Sequence, residues 1–228
     1  MSGSLCSDSK WYPTGIPELE GFLGRGMTDT KAVHNLYVLI KNLCYNLQLF
    51  EFQCQVQADI KLSSVLEAEV RKNCILTGSA IIEGILYYIV FASGYHRTKQ
   101  WKELRIVKGN EFIVGGSERR RIDLAILTRL PAAIPKKEVR LQDLIQIAER
   151  HHLFGPDHTI YGRLQHLRRL RNKIHLYISA EFGDHDYNIF NVHQFTEIKD
   201  LLRHTLTSTI FAWTENDHVL FPYLPKVV

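Results

Sequence analysis

The sequence predicts an all-α protein, an antiparallel helical bundle with a short inserted β-hairpin. Three observations predict it. Apolar residues recur at three- and four-residue spacing through most of the chain. Residues 96–140 abandon that spacing. The composition of the 228 residues, 45% apolar and 23% charged, is that of a globular protein with a sizeable core, and it excludes disorder, collagen-like sequence and a disulfide scaffold.

Residues 1–30 read as an irregular N-terminal arm, punctuated by Pro13, Pro17 and five glycines. The helical domain spans 31–213. Its first helix runs from Lys31 to about Ile60, with Leu36, Leu39, Ile40, Leu43, Leu47 and Phe50 at helical spacing. A second runs from Ser64 to about Ala92, with Ser64 as N-cap and Glu67 closing a capping box. Joined by a short turn, the two must lie antiparallel. Within the insertion, Leu104–Val107 and Glu111–Val114 flank Lys108-Gly-Asn110 as a hairpin. Ser117 to Arg121 is polar and basic, Asp123 to Leu130 is a short amphipathic piece, and Pro131 and Pro135 break it. Helical periodicity returns in 141–152, in about 159–180, started by Asp157 or Thr159, and in 192 to about 213. Pro222 and Pro225 make 214–228 an extended tail.

Cys6, Cys44, Cys54 and Cys74 show no CxxC spacing and read as reduced thiols of a cytoplasmic protein. The first residues lack the charged-then-apolar order of an export signal. Cys74 to Gly94 is long enough to span a bilayer of about 30 Å. Glu83 near its middle, the small polar residues around it and the lack of a second span favour a central core helix, with no membrane partner.

Nine of the eleven histidines follow residue 150. His151, His152, His158 and His166 lack HxxxH or HExxH spacing, and arginines surround them, so no metal is expected. Gly24-Arg-Gly26 and Gly115-Gly116 lack the strand–glycine–helix context of nucleotide binding, and no cofactor is expected. The informative stretch lies between Asp157 and Glu181. It has no acidic residue and carries Arg163, Arg168, Arg169, Arg171 and Lys173, against a net charge of +4 for the chain. One-signed charge of this kind suits a phosphate-bearing partner.

On an ideal helix with Arg168 at zero, His175 lies about 20° away, Arg171 about 60° on the same side and Asn172 about 40° on the other. Leu167, Leu170, Ile174 and Ile178 flank this stripe and face the core, whereas Arg169 lies about 120° from His175, on the surface. Two guanidiniums, an amide and an imidazole are a set suited to metal-free phosphodiester cleavage. The imidazole moves a proton to or from a ribose hydroxyl, and arginine stabilises developing phosphate charge. One helix supplies too few groups for both acid and base; two copies across a twofold axis supply both.

Arg171-Asn172-Lys173-Ile174-His175 resembles the signature of HEPN domains, an arginine, a polar residue and a histidine on the penultimate helix of a helical domain. Gly78-Ser-Ala-Ile-Ile-Glu83 resembles that family's second helix, and 141–152 the helix leading into the motif. The resemblance covers most of 31–213 outside the insertion. It implies a homodimer with paired motifs and a metal-independent endoribonuclease (a hydrolase of RNA) acting as a toxin or antiviral-defence effector. Arg171, His175, Asn172 and Arg168 would then be catalytic, Arg163, Lys173 and Arg169 would bind RNA, and an antitoxin or regulatory protein would restrain the activity. His175-Leu-Tyr177 resembles the His-x-Tyr ending of HEPN toxins whose tyrosine is modified by a nucleotidyltransferase; on an ideal helix Tyr177 instead points to the core. Glu83 is either part of the site or the partner of a buried arginine. Three residues separate Arg171 from His175, one fewer than the family's usual four to six; six separate Arg168 from it. Either Arg171 acts through a shifted helix, or Arg168 does its work, or the domain binds RNA, a nucleotide or a protein without cleaving.

Overall fold

A computed structural model describes residues 11–28, 33–114, 118–135, 139–173 and 186–225. The chain is mostly helical and divides into two compact units, Tyr95–Val139 and the remainder.

In the helical unit, α1 (Ile16–Gly26) corrects the reading of 1–30 as irregular. Leu19, Phe22 and Leu23, at helical spacing, are buried. Pro17 sits in the first turn, where its missing N–H leaves no bond unmade. The glycines that suggested irregularity include one that a close contact requires. A Cβ on Gly26 would stand 2.6 Å from the Ile210 carbonyl oxygen.

The next helix, α2 (Leu36–Asp59), buries Leu43, Cys44, Leu47, Phe50 and Cys54. Its opposite face leaves Val38, Tyr45, Leu49 and Phe52 half-exposed. Antiparallel to it runs α3 (Ser64–Ala92), capped by Ser63 rather than Ser64, whose Oγ accepts from the Leu66 amide at 3.5 Å. It packs against α2 and against four later helices, α4 (Leu141–Arg150), α5 (Thr159–Asn172), α6 (Asp186–Ile189) and α7 (Val192–Leu206). By length and composition α3 is the one described helix able to cross a membrane, yet 72% of its most apolar window is buried within the structure. Gly78 explains part of that close packing, because a Cβ there would meet Ile198 of α7 at 2.6 Å and Phe50 of α2 at 3.0 Å.

Two ends differ from expectation. α7, capped by Asn191 through the His193 and Gln194 amides, stops at Leu206 and gives way to a 3-10 turn at Thr209–Phe211. Residues 214–225 are folded rather than extended. A 3-10 turn over Glu215–Leu220 is fixed by reciprocal Thr214–Asp217 bonds, and Phe221 and Leu224 are buried. Phe22 of α1 supplies the partner surface, stacking on Phe211 and meeting Trp213 and Phe221 edge-on. The prolines set the chain's direction, but this aromatic cluster decides where it goes.

The β unit contains β1 (Thr98–Val107), β2 (Glu111–Val114), β3 (Glu118–Arg121) and β4 (Leu124–Pro135). The predicted pairing of 104–107 with 111–114 is incorrect. β1 pairs antiparallel with β4, and β2 with β3, so a short hairpin is nested inside a longer ribbon. The segment 124–130, read as an amphipathic piece ended by Pro131, is part of β4, which continues to Pro135. Gly109 permits the nesting. Its Cα lies so close to Ile122 that a Cβ would stand 2.1 Å from that carbonyl oxygen.

Candidate functional site

α5 carries the predicted arginines and Asn172 and ends there, with Lys173 as its C-cap, short of the expected end near 180, and local chemistry fixes both its start and its rotation. Asp157 accepts from the Thr159 amide at 2.9 Å and hydroxyl at 2.8 Å, and these bonds, the amide's first, hold its carboxyl below the ordinary range. Ile160, Tyr161, Leu164, Leu167 and Leu170 are buried. The Tyr161 hydroxyl accepts from the Phe154 amide at 3.1 Å, pinning the preceding turn. With one face so committed, the arginines are turned away from the core.

Their partners come from other helices. Arg171, about one-third exposed, donates to the carboxylate of Glu83 on α3, 88 residues earlier. The acid that the local sequence lacks is thus supplied by the fold, and Glu83 is the partner of an arginine. Arg163 lies 3.6 Å from Glu197 and 3.8 Å from Asp200, both on α7. These three and His193 and Thr196 line a shallow pocket of about 320 Å³. Arg168 donates to Gln165 one turn back at 3.2 Å. Arg169, Asn172 and Lys173 are exposed at the helix's end. His175 and Tyr177 lie outside the described residues. The structure therefore joins Arg171 to Glu83 and leaves Arg168 and Asn172 outward on the same helix.

The charges beyond that gap are anchored. Arg71, buried on α3, donates to the Phe190 carbonyl at 3.1 Å, and Lys72 pairs with Asp186. Residues 186–190 are thus tied to α3.

Among the described residues no group of three or more His, Cys, Asp or Glu is arranged to hold a metal. His166 bonds Gln194 at 3.1 Å and lies 3.9 Å from Glu197, and His158 lies 3.7 Å from Glu149. Cys44 is buried, which pushes its thiol up to about 11; Cys54 and Cys74 are buried free thiols whose mutual contact and burial raise Cys74 further. Neither Cys44 nor Cys74 is poised as a thiolate nucleophile.

A cationic region missed in the sequence lies elsewhere. Residues 95–139 hold eleven Lys/Arg against five Asp/Glu, a net +6 that exceeds the whole chain's +4. Counting charge by structural unit rather than along one helix would have found it.

Compared with known proteins, the chain matches no protein-family model, no curated protein and no solved structure.

Proposed function

We propose that this chain is a HEPN-like, metal-independent endoribonuclease that acts as a cytoplasmic homodimer in a toxin or antiviral-defence role. The observation that carries the reading is the outward stripe of α5, where Arg168, Arg171 and Asn172 precede His175 with Arg171 oriented by Glu83. By ideal-helix spacing alone His175 would lie about 20° from Arg168. The imidazole of one copy takes the proton from the ribose 2′-hydroxyl. The 2′-oxygen then bonds to phosphorus as the bond to the 5′-oxygen breaks, and the imidazole of the second copy protonates that leaving oxygen. Arg168 and Arg171 stabilise the charge that develops on the phosphoryl oxygens.

The outer face of α2 supports the second copy. Val38, Asn42, Tyr45, Leu49, Phe52 and Val56 recur at alternating four- and three-residue steps, a heptad seam with one polar position. Tyr37, Trp11 and Tyr12 extend the exposed apolar surface, and Trp11 packs on Phe52. The patch's aromatic side chains, half or more exposed at Tyr12, Tyr37, Tyr45 and Phe52, are of the kind enriched in protein interfaces. Two charges next to it have partners within the chain, Lys41 in Glu20 and buried Glu51 in the Thr14 amide.

Cleavage is expected to persist in EDTA and to stop on RNA bearing 2′-O-methyl at the cut site. A metal requirement would refute the mechanism. The second reading, a non-catalytic RNA-, nucleotide- or protein-binding module, is favoured by the short Arg171–His175 spacing and by the charge neutralisation of Arg171. It is expected to leave cells equally tolerant of the wild type and His175→Ala, with neither cutting RNA.

A further inference from the structure

We infer that the inserted β unit is a nucleic-acid-binding arm whose lysines and arginines hold the phosphate backbone while Trp101 and Phe112 stack on bases. It extends the RNA reading above but rests on different residues.

Charge comes first. The unit holds six more Lys/Arg than Asp/Glu. Arg119 lies 3.9 Å from Glu111 and Arg121 bonds Asp123, which uses two of its five acids. Outside the unit the chain is net −2, from seventeen Lys/Arg and nineteen Asp/Glu, so the surplus belongs to this unit alone. A polyanion is the complementary partner.

Geometry then spreads that charge over both faces of the ribbon. Lys102 and Arg105, three residues apart, would fall on opposite faces of a regular strand. The irregularity between Glu103 and Arg105 changes this. Their partners are Thr128 and Ile126, two residues apart on β4, so Lys102 and Arg105 share a face. Trp101 stands opposite Arg129 on the other face, and Phe112 stands opposite Arg120 in the nested hairpin. An aromatic ring beside a guanidinium thus recurs in both sheets. Rings that stack on bases next to cations that hold phosphates are the usual furniture of single-strand binding. Every residue of β1 is exposed, and Trp101 and Phe112 are 51% and 41% exposed, so both rings are accessible. A two-stranded ribbon is marginal by itself, and its exposed apolar residues leave it with surface to cover.

The test uses the full chain carrying His175→Ala, so that RNA survives the measurement, and fluorescence anisotropy with a labelled 20-nucleotide single-stranded RNA or the matching DNA. Lys99→Gln/Lys102→Gln/Arg105→Gln/Arg129→Gln is expected to weaken binding at least about tenfold near 150 mM salt and to lower the log–log salt slope by about 3. Trp101→Ala, and separately Phe112→Ala, should each weaken it about five- to a hundredfold. Two independent sheets are probed, so disruption of one leaves the other informative. The inference is overturned if the ribbon variants bind like the parent, if the parent binds neither nucleic acid, or if it binds phosphatidylserine vesicles instead. If the ribbon variants lose binding while the wild type cuts no RNA, the inference stands and the nuclease reading falls.

Discussion

Arg171 and Glu83 meet across the bundle while both remain about one-third exposed. Solvent screening keeps such a pair to about 1 kcal/mol or less of stability. In the proposed site its contribution would be to orient Arg171. Glu83→Gln is expected to lower stability by under about 1 kcal/mol while reducing kcat for RNA roughly tenfold with KM little changed. Unaltered cleavage kinetics in this variant would make the pair purely structural. Glu83 was visible in the sequence as an anomaly on an apolar helix, but its partner was not, because pairing over 88 residues has no local signature. His204 offers a pH test. Burial is the first cause that lowers its pKa below 6.5; Arg163 and Arg203 lower it further, while a bond with the Phe154 backbone and the charge of Asp157 oppose the shift. Because the unfolded chain binds that proton more readily, stability should fall as pH drops below 6.5. In denaturant titrations over that interval, His204→Gln should show a shallower decline than the wild type; an identical slope would assign the effect elsewhere.

Helices with one-sided apolar periodicity were legible: α2, α3 and α4 fall close to their expected positions, whereas α5 and α7 start where expected and end early, at Asn172 and Leu206. α1 was missed because its glycines and Pro17 outweighed only three buried residues. The strand pairing was misread because alternation identifies a strand without identifying its partner. Lys108-Gly-Asn110 looks like a hairpin turn, yet Gly109 instead lets β1 leave beside Ile122. Two glycines separate packing from tolerance. Gly78→Ala is expected to cost about 1–3 kcal/mol because Ile198 must move. Gly21→Ala, with nothing near its Cβ, should stabilise α1 by about 0.5–1 kcal/mol. Thermal unfolding that ranked the two in the opposite order would contradict the helix packing. The folded C-terminus depends on Asp217, which is 3% exposed, accepts from Arg25 at 2.5 Å and from the Thr214 amide at 2.7 Å. Burial alone would raise its carboxyl, but the bonds from Arg25 and Thr214 outweigh it and the net shift is downward. Its stabilisation is present above about pH 4 and lost as pH falls through the depressed folded value. Asp217→Asn should cost about 1–3 kcal/mol at neutral pH, with quenching of Trp213 fluorescence by acrylamide increased; unchanged quenching would detach Asp217 from the tail's docking.

For the molecule as a whole, the modest net charge of +4 conceals a basic β unit and a slightly acidic remainder. The sequence drew attention to α5, whose Arg163 and Arg171 the fold largely neutralises with acids from α7 and α3. The two proposals divide the work along that distribution, the β unit to hold the nucleic acid and α5 of two paired copies to cut it. Pairing through α2 should make the full chain dimeric in sedimentation equilibrium, with Leu49→Glu/Phe52→Glu shifting it to monomer; a monomeric wild type would remove the second imidazole from the mechanism. Whether phosphodiester chemistry occurs by the route proposed is answered most directly by the ends of the products. RNA incubated with the wild type in EDTA, followed by mass measurement of the fragments, should give 2′,3′-cyclic phosphate and 5′-hydroxyl ends, and His175→Ala should give none. Intact RNA with the wild type, or fragments bearing 5′-phosphates, would contradict it.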